Sequence, residues 1–196
     1  GARLLGREDE DVSAAARAAL EADGVTVLTG HELLACEQQG GERQLVVRGP
    51  AGTERIAYDL LVCAVGRRPR LSGFGLEELG FPSGGTLDTN EYLETRLPSI
   101  LAAGDVAGPY QFTHVAGHQA WYAAVNALFG PLRKFKADYR VIPRVTFTDP
   151  EIAHVGLSEA EARRAGVDYE VTRYDLADLD RAIADGAAHG FVKVLT

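Results

Sequence analysis

A glycine followed by an acid, Gly104-Asp105, ends an apolar stretch and has the chemistry to help bind a cofactor. Residues 100–103 are predicted to form a short strand, and a long helix is predicted from about 114 to 129. Ligands of open α/β sheets lie outside the carboxyl ends of the strands. Glycine lets phosphates or a sugar chain approach the backbone, and the carboxylate accepts hydrogen bonds from hydroxyls. A plain turn with Asp105 as a helix-capping acid is the alternative, and the pair taken alone favours that alternative over a cofactor site.

The other candidate residues show no catalytic or metal-binding spacing. Cys36 and Cys63 lie in strand-like segments, and we expect both to be buried and reduced. His31 and His154 have no acid or nucleophile at a telling distance along the sequence. We therefore assign no catalytic residue and no metal ligand to this chain.

The first part of the chain is predicted to combine one helix with five strands. An acidic run, residues 8–11, precedes an alanine-rich helix at 13–22 that Gly24 ends. Strands are predicted at 25–29, 32–37, 44–48 and 54–58, and glycine-rich loops join the last three into an antiparallel meander. A fifth strand, 60–65, is apolar throughout, as a strand covered on both faces would be.

The remainder of the chain is predicted to be loop-rich at first and then mixed. Glycines and prolines are frequent from Arg67 to about Pro98, and Gly130-Pro131 ends the long helix. Strands are predicted at 141–147 and 153–157, followed by a helix that begins at Ser158 and by two more strands. Ser158 and Glu161 have the spacing of a capping box.

Composition and charge narrow the class of protein. A formal charge of −8 argues against a nucleic-acid binder, and no apolar run approaches the ~18 residues of a membrane span. We expect a cytoplasmic protein.

The sequence has no methionine, even at position 1, and closes on an uninterrupted strand pattern. We therefore expect the chain to be an internal piece of a longer protein.

Three motifs occur in order along the chain, at residues 59–69, 100–116 and 142–157. Together they resemble the pyridine nucleotide–disulfide oxidoreductases, with mercuric reductase-like and dihydrolipoamide dehydrogenase-like members as the nearest types. Residues 59–69 (DLLVCAVGRRP) resemble the strand and turn that close that family's NAD(P) domain. Residues 100–116, with Phe112-Thr113-His114-Val115-Ala116, resemble its second FAD motif. Residues 142–153 (IPRVTFTDPEIA) with Val155-Gly156-Leu157 resemble the opening of its dimerisation domain. The resemblance extends over essentially all 196 residues.

The resemblance implies a set of cofactor-binding residues. Asp105 would bind the flavin ribityl chain, and Gly104 would lie against its pyrophosphate side. The pyrimidine edge of the isoalloxazine would meet Gln111, Phe112, Thr113 and His114, with Ala116 packed close. Val65 and Gly66 would border the nicotinamide nucleotide.

The resemblance also implies a fold, a domain order and an activity. We expect incomplete Rossmann-like α/β parts for NAD(P) (residues 1–71) and FAD (72–138), then an α+β dimerisation part with an antiparallel sheet (139–196). The intact protein would be a homodimeric oxidoreductase that passes hydride from NAD(P)H through FAD to a cysteine pair outside this chain, and the chain alone would be inert. A flavoprotein NADH dehydrogenase without that pair and a non-catalytic nucleotide-binding or dimerisation module are the alternatives.

Overall fold

The computed structural model describes residues 1–196 and divides them between two units. The first unit consists of residues 1–62 and 143–196, and the second unit consists of residues 63–142. The first unit therefore joins the beginning of the chain to its end. The residues of the candidate cofactor site all lie in the second unit.

The first unit begins with helix α1 and a three-stranded antiparallel meander. Helix α1 is Glu10–Ala22, and the strands are β1 (Glu32–Gln39), β2 (Glu42–Gly49) and β3 (Gly52–Ala57). The strand order is β1-β2-β3, as the sequence predicted. Gly40 and Gly41 have positive φ, which permits the tight turn between β1 and β2. The central strand β2 buries Val46 and Val47, because only this strand has a neighbour on both sides.

Two predicted strands of the first part are wrong, and so is the predicted burial of the cysteines. Residues 25–29 and 60–65 form neither strand nor helix, and 60–65 is exposed throughout, with Leu60 at 81% and Val65 at 88%. An apolar strand needs a hydrogen-bonded neighbour, and none of the seven strands of the chain lies beside 60–65. Cys63 is exposed for this reason. Cys36 is exposed because β1 is an edge strand, and neither cysteine forms a disulfide.

The end of the chain completes the first unit with two antiparallel pairs of strands and two helices. Strand β4 (Arg144–Thr146) pairs antiparallel with β5 (Ile152–His154), and β6 (Val171–Asp175) pairs antiparallel with β7 (Phe191–Leu195). Helix α3 (Glu159–Ala165) begins with the predicted capping box, in which Ser158 and Glu161 bond reciprocally. Helix α4 is Asp180–Ala184. The strands at 141–147 and 153–157 are thus confirmed but shorter than predicted.

The second unit packs a loop-rich segment against one long helix. Its core contains Leu71, Phe81, Leu87 and Ala102, which supports the loops that the sequence predicted between 67 and 98. The predicted strand 100–103 is reduced to a single antiparallel bridge between Leu101 and Glu94. A short 3-10 helix, Gly104–Val106, follows, and α2 (Thr113–Phe129) confirms the predicted long helix. No helix of either unit is long and apolar enough to cross a membrane.

Candidate functional site

The turn at Gly104 requires glycine for two reasons. Its φ is +80°, a conformation that residues with a side chain rarely adopt. A Cβ at this position would lie 3.3 Å from the Cβ of Ala116, so the turn sits directly against α2. The structure therefore brings together Gly104 and Ala116, two of the residues that the sequence predicted to share a site.

A glutamine of α2 holds this turn in place. Gln119 is fully buried, and its Oε1 accepts a hydrogen bond from the backbone N–H of Gly104 at 2.6 Å. Its Nε2 donates to the carbonyl oxygen of Gly108 at 2.6 Å and to the hydroxyl of Tyr139 at 2.9 Å. Sequence reasoning missed Gln119. The available signal was a polar side chain on the same face as Val115, four positions later, in a largely apolar helix.

The carboxylate of Asp105 is available to a ligand. The residue is half-buried and follows Gly104 within the 3-10 helix. Three other acids of the second unit are paired with cations: Glu94 with Lys134, Glu91 with Lys136 and Asp138 with Arg140. No Lys, Arg or His of the chain pairs with Asp105. A half-buried carboxylate without a cation is suited to accept hydrogen bonds from the hydroxyls of a sugar-like chain.

The first turn of α2 has backbone N–H groups that make no hydrogen bond within the helix, and it lies beside the loop that contains Asp105. Phe112 is the N-cap residue and provides no side-chain cap, and the first turn contains no acidic residue. The earliest hydrogen bond of the helix runs from the N–H of Ala116 to the carbonyl of Phe112 at 2.9 Å. The preceding N–H groups, at Thr113, His114 and Val115, therefore have no partner within the helix. Such an end attracts negatively charged or electron-rich ligand atoms.

Aromatic rings and an arginine order the residues just before α2. The rings of Phe112 and His114 stack with centroids 5.4 Å apart and planes 8° apart. Arg67 donates from Nη2 to the carbonyl oxygen of Gln111 at 3.0 Å. This bond ties the exposed turn of Val65 and Gly66, where φ of Gly66 is +118°, to the start of α2. The residues expected at the nicotinamide nucleotide are thus linked through Arg67 to those expected at the flavin.

The first unit contains a buried ionic cluster that sequence spacing did not reveal. The carboxylate of Glu8 is only 9% exposed and accepts hydrogen bonds from Arg144 Nε at 2.8 Å and Arg144 Nη2 at 3.3 Å. Nδ1 of His154 lies 2.6 Å from Oε2 of Glu8, the oxygen that also accepts from Arg144 Nη2. Burial by itself raises the pKa of Glu8, but the bonds from Arg144 and His154 outweigh it and bring that pKa below its usual value. The acidic partner of His154 lies 146 positions away along the chain, so the spacing of the sequence did not indicate it. His31 also has an acidic partner, since its Nε2 lies 3.1 Å from Oε1 of Glu54, 23 positions away.

A second ionic cluster forms around Lys193 in the same unit. Its ammonium group is 8% exposed and lies 2.9 Å from Asp9, 2.8 Å from Asp11 and 3.1 Å from Glu159. Burial lowers the pKa of Lys193, yet the three carboxylates together raise it well above its usual value. The acidic run that precedes α1 thus connects the beginning of the chain to α3 and β7. This role is structural, since every carboxylate of the cluster is matched to the same ammonium group.

No group of three or more His, Cys, Asp or Glu side chains has a metal-binding arrangement. The chemistry that the described residues support is the binding of a hydroxyl-rich, anionic cofactor at the turn of Gly104 and Asp105 and the start of α2.

Comparison with known proteins identifies the class. The sequence model described as "Pyridine nucleotide-disulphide oxidoreductase" matches residues 1–120, and that family's dimerisation domain matches residues 142–196. The chain belongs to the pyridine nucleotide-disulphide oxidoreductase family. The predicted resemblance is confirmed.

Individual relatives agree with this assignment. The chain is 36% identical over 195 residues to a mercuric reductase of Streptomyces lividans, covering 98% of the chain and 41% of that protein. It is 38% identical over 196 residues to a dihydrolipoyl dehydrogenase of Thermus scotoductus, covering 98% of the chain and 42% of that protein. The chain thus spans about two fifths of the length of these curated relatives.

A solved structure shows the same fold. The copper(II) complex of the HOCl-induced flavoprotein disulfide reductase from Escherichia coli superposes with a TM-score of 0.85 at 25% identity, covering all of this chain and 44% of that one. The expected fold class, incomplete Rossmann-like α/β parts followed by an α+β part with antiparallel sheets, is confirmed.

Proposed function

We propose that this chain forms one wall of the FAD site, and the edge of the NAD(P) site, of an FAD-dependent oxidoreductase. One observation carries the proposal. The half-buried, cation-free carboxylate of Asp105 follows a glycine turn that packs on α2, and the first turn of α2 has no side-chain cap. FAD, when bound, accepts hydride from NAD(P)H and passes electrons to a disulfide or to a metal ion of the mercuric type.

Each residue has a role in the proposed site. The carboxylate of Asp105 accepts hydrogen bonds from the ribityl chain, and Gly104 leaves room for the pyrophosphate side. The pyrimidine edge of the flavin lies against Gln111, Phe112, Thr113 and His114, where the free N–H groups of the first turn stabilise negative charge. Ala116 keeps α2 close to the turn, since its Cβ is already 3.3 Å from where a Cβ on residue 104 would lie.

The nicotinamide nucleotide is proposed to border Val65 and Gly66. The side chain of Val65 is 88% exposed, so it presents an apolar surface that a planar ring could cover. We further propose that strands outside this chain pair with residues 60–65 in the intact protein. Such pairing would explain why each residue of this apolar segment is exposed here.

The domain boundaries follow from the same proposal. Residues 1–71 would complete an NAD(P)-binding domain, 72–138 an FAD-binding domain, and 139–196 would begin a dimerisation domain that brings two copies together. The reactive cysteine pair would lie outside this chain, because Cys36 and Cys63 are both free and lie 27 positions apart, Cys36 in β1 and Cys63 in a segment without regular secondary structure. We accordingly expect the 196-residue chain alone to have no reductase activity.

The test is an FAD titration of the full-length protein with two single variants. Asp105→Ala removes the proposed ribityl acceptor. Asp88→Ala is the matched control, because Asp88 is an exposed acid of the same unit. A lost hydrogen bond to a charged group weakens binding by about tenfold or more. Asp105→Ala should show that loss and Asp88→Ala should not.

The outcomes separate the proposal from its alternatives. Equal FAD affinity in Asp105→Ala and the parent protein would refute the assignment of Asp105. A wild-type protein that binds no flavin would point to a non-catalytic module. Flavin reduction by NAD(P)H with no electron transfer to any disulfide or mercuric ion would favour the NADH dehydrogenase alternative.

A further inference from the structure

The position of Gln119 is unusual for a polar side chain. It lies in the middle of α2 with no exposed surface, and it makes three hydrogen bonds. Two of these bonds reach backbone groups of the loop that contains Asp105, on the residue before it and three residues after it. The third reaches the hydroxyl of Tyr139, which follows α2 in the chain.

The chemistry of its partners fixes the orientation of the Gln119 amide. The backbone N–H of Gly104 can only donate, so it requires the carbonyl oxygen of the side chain. The backbone oxygen of Gly108 can only accept, so it requires the amide nitrogen. Both glycines are buried, so loss of the glutamine would leave a buried backbone N–H and a buried backbone carbonyl without this partner. One side chain therefore determines the conformation of the loop 104–108 at both of its ends.

We propose that Gln119 is a positioning residue for the FAD site: it holds the loop 104–108 so that the carboxylate of Asp105 faces the cofactor. This inference rests on the proposed function. Gln119 itself does not contact the cofactor, because its three polar contacts are already made within the chain. Its contribution is to keep the loop in the binding conformation before FAD arrives, which lowers the ordering cost of binding.

The same helix provides a control residue with a comparable environment. Asn126 lies seven positions after Gln119, on the same face of α2, and is also buried. Its Nδ2 donates to the carbonyl oxygens of Tyr92 at 3.0 Å and Phe135 at 2.8 Å, and its Oδ1 accepts from the N–H of Phe135. Asn126 thus binds the backbone as Gln119 does, but it holds segments that the proposed site does not include.

The experiment compares Gln119→Leu and Asn126→Leu in the full-length protein. The first readout is the FAD dissociation constant. The second is hydrogen–deuterium exchange of the Gly104 amide in the cofactor-free protein, which does not depend on enzyme activity. Gln119→Met is measured in parallel as a second variant, for the case that Gln119→Leu does not fold. The unbranched side chain of methionine has about the same length as that of glutamine.

We expect Gln119→Leu to raise the FAD dissociation constant by about tenfold or more and to accelerate exchange at Gly104 by a similar factor. Asn126→Leu should accelerate exchange at Phe135 and leave FAD affinity within about twofold, since its partners lie outside the loop. Equal losses of FAD affinity in both variants would show that Gln119 acts only through stability. Unchanged affinity in Gln119→Leu would overturn the inference while leaving the proposed function intact. A wild-type protein that binds no FAD would overturn both this inference and the proposed function.

Discussion

Replacing Glu8 by alanine should destabilise the first unit by removing the centre of its ionic cluster. Arg144 contacts the carboxylate at 2.8 and 3.3 Å, and His154 contacts it at 2.6 Å. Removal of one partner from a fully buried pair costs about 3–5 kcal/mol. Arg144 is 20% exposed and His154 is 15% exposed, so water can partly solvate the groups that remain. We therefore expect a loss of about 2–3 kcal/mol in the free energy of unfolding of this unit.

The assay should report on the first unit alone. The single tryptophan, Trp121, lies in the second unit, so its fluorescence provides an internal reference that the variant should leave unchanged. Hydrogen exchange of the amides in β4 and β5 reports on the hairpin that Glu8 holds. A loss of 2–3 kcal/mol corresponds to a roughly 30- to 150-fold increase in the opening equilibrium of this hairpin.

The control for Glu8→Ala is Glu10→Ala. Glu10 is 90% exposed, and its oxygen lies 3.6 Å from Arg3, so its removal should change stability by less than about 0.5 kcal/mol.

The pH dependence of stability provides a second check on the role of Glu8. The pKa of Glu8 is lowered in the folded protein, so its contribution is fully present above its unfolded pKa and is lost as pH falls through the folded value. A variant as stable as the parent near neutral pH, or an equal difference near pH 3, would refute this reasoning.

Three further substitutions test other parts of the structure. Lys193→Met leaves the carboxylates of Asp9, Asp11 and Glu159 without their shared cation, and urea denaturation should show a loss of about 2–3 kcal/mol. Because the burial of Asp9 is outweighed by its bonds to Lys193 and to backbone N–H groups, its pKa is lowered in the folded protein. The loss of stability should therefore shrink as pH falls through that pKa, and a difference independent of pH would contradict the ionic explanation. Ser158→Ala removes the capping box and should cost about 1 kcal/mol, measured by exchange in α3; unchanged protection there would argue against it. Gly104→Ala places a side chain on a residue with a φ of +80° and should lower the free energy of unfolding by about 1–2 kcal/mol. Trp121 fluorescence should show this as a lower melting temperature. An unchanged melting temperature would mean that the turn adapts.

Elements with strong local signals were predictable from the sequence. The start of α3 follows from the capping box of Ser158 and Glu161, and the end of α2 follows from Gly130-Pro131. The meander follows from its glycine turns. In each case the decisive interactions connect residues only a few positions apart.

Features that depend on distant residues were not predictable in this way. The segment 60–65 has the composition of a central strand, yet its structure depends on whether neighbouring strands are present, and none of this chain's strands pairs with it. The bond between Glu8 and His154 spans 146 positions, so no spacing rule could reveal it. Gln119 was overlooked because a polar residue in a largely apolar helix does not indicate which backbone groups it will meet.

The central claim is that Gly104, Asp105 and the first turn of α2 form half of an FAD site. A crystal structure of the full-length protein with FAD tests this most directly, through the distance from the Asp105 carboxylate to the nearest ribityl hydroxyl. The account predicts a hydrogen bond of about 2.5–3.0 Å, with the flavin ring edge against the N–H groups of Thr113 and His114. A flavin bound elsewhere, or a ribityl chain with no hydroxyl within hydrogen-bond distance of Asp105, would contradict it.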